Sequence, residues 1–115
     1  MSRETPDRED PVPVFAALGD QTRLGLVARL AGGERLSITQ LTTGTDITRQ
    51  AVTRHLEVLA DAGLVHARRQ GRERLWELDR ARLELARRSI DRISSWWDEK
   101  LADLQASLEA SDEEP

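Results

Sequence analysis

Four side chains within six residues, Arg49, Gln50, Thr53 and Arg54, are the ones best equipped for recognition chemistry in this sequence. On a helix, Arg49, Thr53 and Glu57 recur every four residues on one face, with Gln50 and Arg54 beside them. These groups suit the edges of base pairs. An arginine fork matches O6 and N7 of guanine, a glutamine amide matches N6 and N7 of adenine, and a threonine methyl can meet the thymine methyl. A solvated helix face would carry the same residue types, so a second cluster matters. Arg68, Arg69, Arg72 and Arg74 fall within seven residues, and four like charges so close repel one another unless an anion lies near.

Other chemistries find no support. There is no cysteine, which excludes disulfides, a thiol nucleophile and thiolate metal sites. The chain has no glycine-rich phosphate loop and no histidine paired with a carboxylate at a useful spacing, so an enzyme is not expected. His55, inside the run TRHL, reads as a structural residue bonding near a turn. His66 reads as a solvated strand residue. Glu34 and the acids of the C-terminal region read as surface, and no cofactor is expected.

The elements that position these residues follow from pattern. A chain of 115 residues, 38% hydrophobic and 33% charged, fits one domain with one core. No apolar run approaches the ~20 residues of a membrane span. The N-terminus, MSRETPDREDP, lacks the apolar stretch of a secretory signal, and the expected location is cytoplasmic. The net charge is −4, but it is unevenly spread. Residues 23–92 hold fourteen arginines against nine acids, whereas residues 93–115 hold one lysine against seven acids. A basic middle between acidic ends can turn one face toward phosphates. The expected organisation is a disordered tail over 1–10, a folded domain over 11–108 and an acidic tail over 109–115.

Within the domain, Pro11–Leu18 is expected as a short helix ended by Gly19. Asp20 caps a second helix reaching about Ala31, with Leu24, Val27 and Leu30 as its apolar stripe. Ser37 to Gln40 fits a capping box that opens a third helix, Ile38 to Thr43, burying Ile38 and Leu41 and stopped by Gly44. Thr48 caps a fourth helix to about Ala62, whose core stripe is Val52, Leu56 and Leu59 and which Gly63 closes. The third and fourth helices form a helix-turn-helix. The period then changes to that of strands at 64–69 and 74–78, joined by a turn at Gln70-Gly71-Arg72-Glu73, which makes a hairpin wing. A long helix from Ala81 to Leu108 closes the fold, with an apolar seam at Leu83, Ala86, Ile90, Ile93, Trp97, Leu101, Leu104 and Leu108. The fold class is therefore mostly α, five helices with a small β-hairpin. Trp97 reads as a dimer-core residue, Trp96 as covering the first helix near Phe15, and the pair as an alternative seat for an apolar effector.

The stretches ALGDQTRLGLVARL (17–30), AVTRHLEVLADAGLV (51–65) and GRERLWEL (71–78) together resemble the ArsR/SmtB family of winged helix-turn-helix regulators over about residues 13–105. The resemblance implies a homodimer whose first and last helices pair across a two-fold axis, through Phe15, Leu18, Ile90, Ile93, Trp97, Leu101 and Leu104. It also implies a double-stranded DNA operator read by the fourth helix, with the wing on the backbone or minor groove. The DNA-contacting set would be Thr48, Arg49, Gln50, Thr53, Arg54, Arg68, Arg69, Arg72 and Arg74. Gln21 stands where the family often has proline, and either is tolerated there. Metal sensors of the family use cysteines in the third helix or aspartate and histidine pairs on the last. Residues 37–43 hold neither Cys nor His, and the last helix has Asp91, Asp98, Glu99 and Asp103 but no His. The resemblance is thus to a branch that does not sense metal. A winged helix that binds protein and not DNA is the competing reading, for which the acidic termini leave room.

Overall fold

The computed structural model describes residues 9–112. Eight elements follow in order: α1 (Val12–Leu18), α2 (Gln21–Leu30), β1 (Leu36–Ser37), α3 (Ile38–Thr42), α4 (Arg49–Asp61), β2 (Val65–Gln70), β3 (Glu73–Leu78) and α5 (Arg80–Asp112). The helix starts come from side-chain caps. Asp20 accepts the backbone N–H of Arg23 at 3.0 Å, and Thr48 accepts that of Ala51 at 3.1 Å. Ser37 and Gln40 form the expected reciprocal capping box. Glu109–Asp112, expected in the acidic tail, continue α5 instead. Most of the expected N-terminal tail, and residues 113–115, lie outside the described residues.

The core is made where α1 to α4 meet the small sheet. Val14, Leu30, Leu41, Val52, Leu56, Leu59, Leu64 and Val65 are fully buried, and Trp76 nearly so. The stripe expected on α4 is therefore its core face. The stripe expected on α2 is rotated. Leu26 joins Val27 and Leu30 in the core, whereas Leu24 is 53% exposed. Leu26 lies one turn before Leu30, at i−4, and shares its face; Leu24, at i−6, is turned well away.

The wing is a hairpin in which β2 pairs antiparallel with β3 from Val65↔Leu78 to Gln70↔Glu73. The two-residue loop is Gly71-Arg72. Gly71 has φ +64° and no non-glycine residue described has positive φ, the pattern of a type II′ turn. A third strand was not legible in the sequence. β1 pairs with β3 at Leu36↔Trp76 and Ser37↔Leu75, so the sheet order is β1-β3-β2. Two residues carry too little pattern to read as a strand, and only β3 supplies their partners.

α5 is anchored at its start. Asp79 donates its N–H to the carbonyl of Leu64 at 2.7 Å and accepts the N–H of Arg82 on Oδ1 at 3.2 Å. Its other oxygen lies 2.6 Å from His66 Nε2. His66, read as solvated, is half exposed but tied by this bond to the base of α5. Leu85 and Ala86 are buried against the domain, and Leu83 packs on the core. From residue 90 onward the helix projects, and with 33 residues it is about 50 Å long.

Candidate nucleic-acid interface

α4 turns its apolar face to the core, so its polar face must front solvent. Arg49, Gln50, Thr53, Arg54 and Glu57 line one open groove with Ile38 of α3. The structure thus brings together four residues of the expected reading set. Thr53 donates its hydroxyl to the carbonyl of Arg49 at 2.8 Å, which leaves its methyl for an apolar contact. Thr48 uses its hydroxyl oxygen to cap the helix. The opening N–H groups of α4 form an end favourable to an anion such as phosphate.

The back of α4 is held by His55. Its Nδ1 lies 3.3 Å from an Arg23 guanidinium nitrogen and 3.8 Å from Asp20 Oδ2. Arg23 also donates to the carbonyl of Ala17 at 2.6 Å. One cluster therefore pins α4 to the α1–α2 corner, the structural role expected for His55. The Asp20 carboxyl is held below its ordinary value of 3.8, chiefly by the N–H of Arg23 and less by the Arg23 and His55 charges. Asp79 is likewise lowered. Its partial burial is the largest single influence and acts upward, but the bonds from His66 and from the Arg82 N–H outweigh it.

The four wing arginines are not equivalent. Arg68 forms an ion pair with Glu77 at 2.5 Å, and the same carboxylate takes Arg35 at 3.0 Å. Arg74 lies over the Trp76 ring, 4.7 Å from its centroid, a cation–π arrangement. Arg69 stands directly across the ladder from Arg74, so two like charges oppose each other. Arg72 is exposed at the turn. The repulsion expected of this cluster is relieved at Arg68 by Glu77 and persists between Arg69 and Arg74. Arg35 was missed, because its approach to Glu77 depends on the pairing of β1 with β3.

Charge counting also missed a division of labour among the arginines. Four of them close the carbonyl ends of the four shorter helices. Arg23 bonds Ala17 at the end of α1, and Arg80 bonds Ala31 after α2 at 3.0 Å. Arg29 bonds Gln40 and Leu41 in α3 at 2.8 and 2.9 Å, and Arg82 bonds Ala62 after α4 at 3.2 Å. A cation at a helix C-terminus satisfies free carbonyls and opposes the dipole. The basic middle of the chain is thus partly scaffold.

Among the expected dimer residues, Phe15 and Leu18 pack partly on the core. Ile90, Ile93, Trp97, Leu101 and Leu104 are 48–57% exposed along α5. Trp96 is not buried over α1 within one chain. It keeps half its surface exposed, edge-on to Trp97 at 5.1 Å, with Lys100 5.6 Å from its ring centroid. Among the described residues, no three His, Cys, Asp or Glu gather as metal ligands, and no helix is long and apolar enough to cross a membrane.

Comparison with known proteins bears on this geometry. Residues 18–68 match a model described as a helix-turn-helix domain. The chain is 38% identical to the HTH-type transcriptional regulator Rv2034 of Mycobacterium tuberculosis, over 77% of this chain and 78% of that protein. It is 37% identical to the arsenical resistance operon repressor of Escherichia coli, over 54% of this chain and 53% of that one. Among solved structures, an ArsR-like transcriptional regulator from Rhodococcus sp. RHA1 superposes with a TM-score of 0.71 at 35% identity, over 84% of this chain and 90% of the other.

Proposed function

The chain belongs to the ArsR family of winged helix-turn-helix transcriptional regulators, and from that premise we propose that it is a homodimeric repressor that reads a specific double-stranded DNA operator in the cytoplasm. Proteins of this family regulate transcription and are not enzymes. The observation that carries the proposal is the two-sided construction of α4. Val52, Leu56 and Leu59 are fully buried behind it, while Arg49, Gln50, Thr53 and Arg54 line an open groove in front. An α-helix so faced fits the major groove, where these side chains find their hydrogen-bonding partners. Arg69 and Arg72 of the wing then reach phosphates, with Arg68 and Arg74 in support.

Repression is the mode named for one relative, the arsenical resistance operon repressor. The signal that frees this protein from DNA is something other than thiolate-bound metal, because the chain has no cysteine and α5 has no histidine. An unidentified effector is the remaining route, with the Trp96–Trp97 pair as its candidate seat. The direct experiment is a footprint and gel shift on the DNA upstream of the protein's own coding sequence, against a scrambled duplex. Protection of a two-fold symmetric site supports the proposal. Equal affinity for both duplexes removes sequence reading, and no affinity for either leaves a winged helix that binds protein.

A further inference from the structure

Two rows of residues on α4 share one spacing. The core row is Val52, Leu56 and Leu59, at steps of four and three residues, and all three are fully buried. Gln50, Arg54 and Glu57 repeat those steps two residues earlier. Two residues turn an α-helix by about 200°, so this second row stands diametrically opposite the core. All three of its side chains are exposed, and all three line the open groove. Gln50 and Arg54 belong to the reading set proposed above. Glu57 completes their row, about 4.5 Å along the helix axis from Arg54, a little more than the ~3.4 Å of one base-pair step.

A carboxylate in this row is costly in front of DNA, because the phosphates of every sequence repel it. Its nearest basic neighbour in the row does not neutralise it. Arg54 stands three residues away, the spacing at which Glu84 and Arg87 pair in α5, yet among the described residues neither Arg54 nor Glu57 enters an ion pair. The chemistry of the bases then leaves one attractive partner. An ionised carboxylate can only accept. In the major groove guanine offers the acceptors N7 and O6, and thymine offers the acceptor O4 and a methyl group. Adenine sets its N6 donor beside the N7 acceptor, which a carboxylate would also face. Cytosine presents the N4 amino donor alone.

We propose that Glu57 is a specificity-determining residue, accepting from N4 of a cytosine in each half-site, next to the base pair read by Arg54, and rejecting guanine and thymine there. This rests on the operator reading above and adds one base to it. Specificity is a difference between affinities, and a repulsive element widens that difference. The wing arginines strengthen binding to every duplex, whereas Glu57 weakens it everywhere except at its own base.

The test is selection of binding sites from a random-sequence duplex pool by the full chain, with wild type, Glu57→Gln, Glu57→Ala and Arg54→Ala run in parallel. The Arg54→Ala profile marks the base pair that the arginine reads. In the wild-type profile a cytosine stands at the adjacent position of each half-site. Glu57→Gln changes that cytosine to adenine, because a glutamine amide matches N6 and N7, and leaves the other positions alone. Glu57→Ala removes the preference there. Titration of one selected duplex and its cytosine-to-adenine counterpart should show the preference reversed by about tenfold between wild type and Glu57→Gln. A merely structural role would not move the base choice at a single position. Identical profiles for the wild type and both Glu57 variants overturn the inference and leave the operator reading intact. A wild-type pool that enriches no sequence removes that reading and the inference with it. Both Glu57 variants should also bind a scrambled duplex more tightly at low salt, and unchanged affinity there overturns the repulsive role.

Discussion

At the scale of single residues, the arginines proposed to face DNA and those serving the scaffold are drawn from one pool. Gln50 and Arg54 line the groove in front of α4 and have no other structural duty among the bonds described. Replacing either with alanine should cost about 1–3 kcal/mol on the true operator and much less on random DNA. Arg72→Ala should weaken both DNAs alike and make the salt dependence shallower by about one unit for each phosphate it no longer neutralises. Binding of each variant to operator and scrambled duplex across a salt series separates the two roles. If Arg72→Ala abolished operator binding selectively while Gln50→Ala and Arg54→Ala changed nothing, reader and clamp would be exchanged. The polar front of α4 was legible because an α-helix has a fixed period and its back was apolar. The carbonyl-capping roles of Arg23, Arg29, Arg80 and Arg82 were not, because all four reach across elements and depend on how helices are placed.

Asp79 belongs to the same scale and gives a pH signature. Its carboxyl titrates below the ordinary 3.8, so the folded state favours the charged form. The stability it contributes is present above that value and is lost as pH falls through the lowered one. Asp79→Asn keeps the capping shape and removes the charge. The gap between wild type and variant in denaturant midpoint should hold from neutral pH down to about 4 and close below it. A gap that stayed open after the carboxylate had protonated would contradict the bonds from His66 and Arg82.

At the scale of elements, caps and glycines decide where helices begin and end, and these were read well. Thr48→Ala removes the acceptor for the Ala51 N–H and should cost about 1 kcal/mol of stability, seen in chemical denaturation, with operator binding weakened because α4 starts there. Gly63 is less forgiving. It has φ +78°, and a Cβ there would stand 3.0 Å from Arg82 Nε. Gly63→Ala should destabilise by more than about 1 kcal/mol, through both the backbone and the loosened arginine cap on Ala62. Strand β1 escaped because two residues have no periodicity, and Leu24 was misplaced because a stripe drawn on one helix does not say which side the domain lies.

At the scale of the whole molecule, the projecting half of α5 is the surface on which the proposed dimer rests. Trp97→Ala should weaken the dimer by about 3–5 kcal/mol if its ring is fully enclosed by the second copy, which sedimentation equilibrium over a concentration series would measure. Titrating zinc, cadmium and arsenite into the protein–DNA complex should leave it intact. Release at micromolar metal would reveal ligands that the side chains of this sequence do not supply.

The sequence by itself determined the local elements, the polar front of α4, the hairpin and the seam of α5, because caps, periods and turn residues act over a few positions. The tertiary structure alone decided which arginines remain free for an anion. That depends on pairings between residues far apart in the chain, such as Arg80 with Ala31, Arg35 with Glu77 and His66 with Asp79. An unsatisfied carbonyl or carboxylate claims whichever cation the packing brings to it, and no pattern along the chain records that choice.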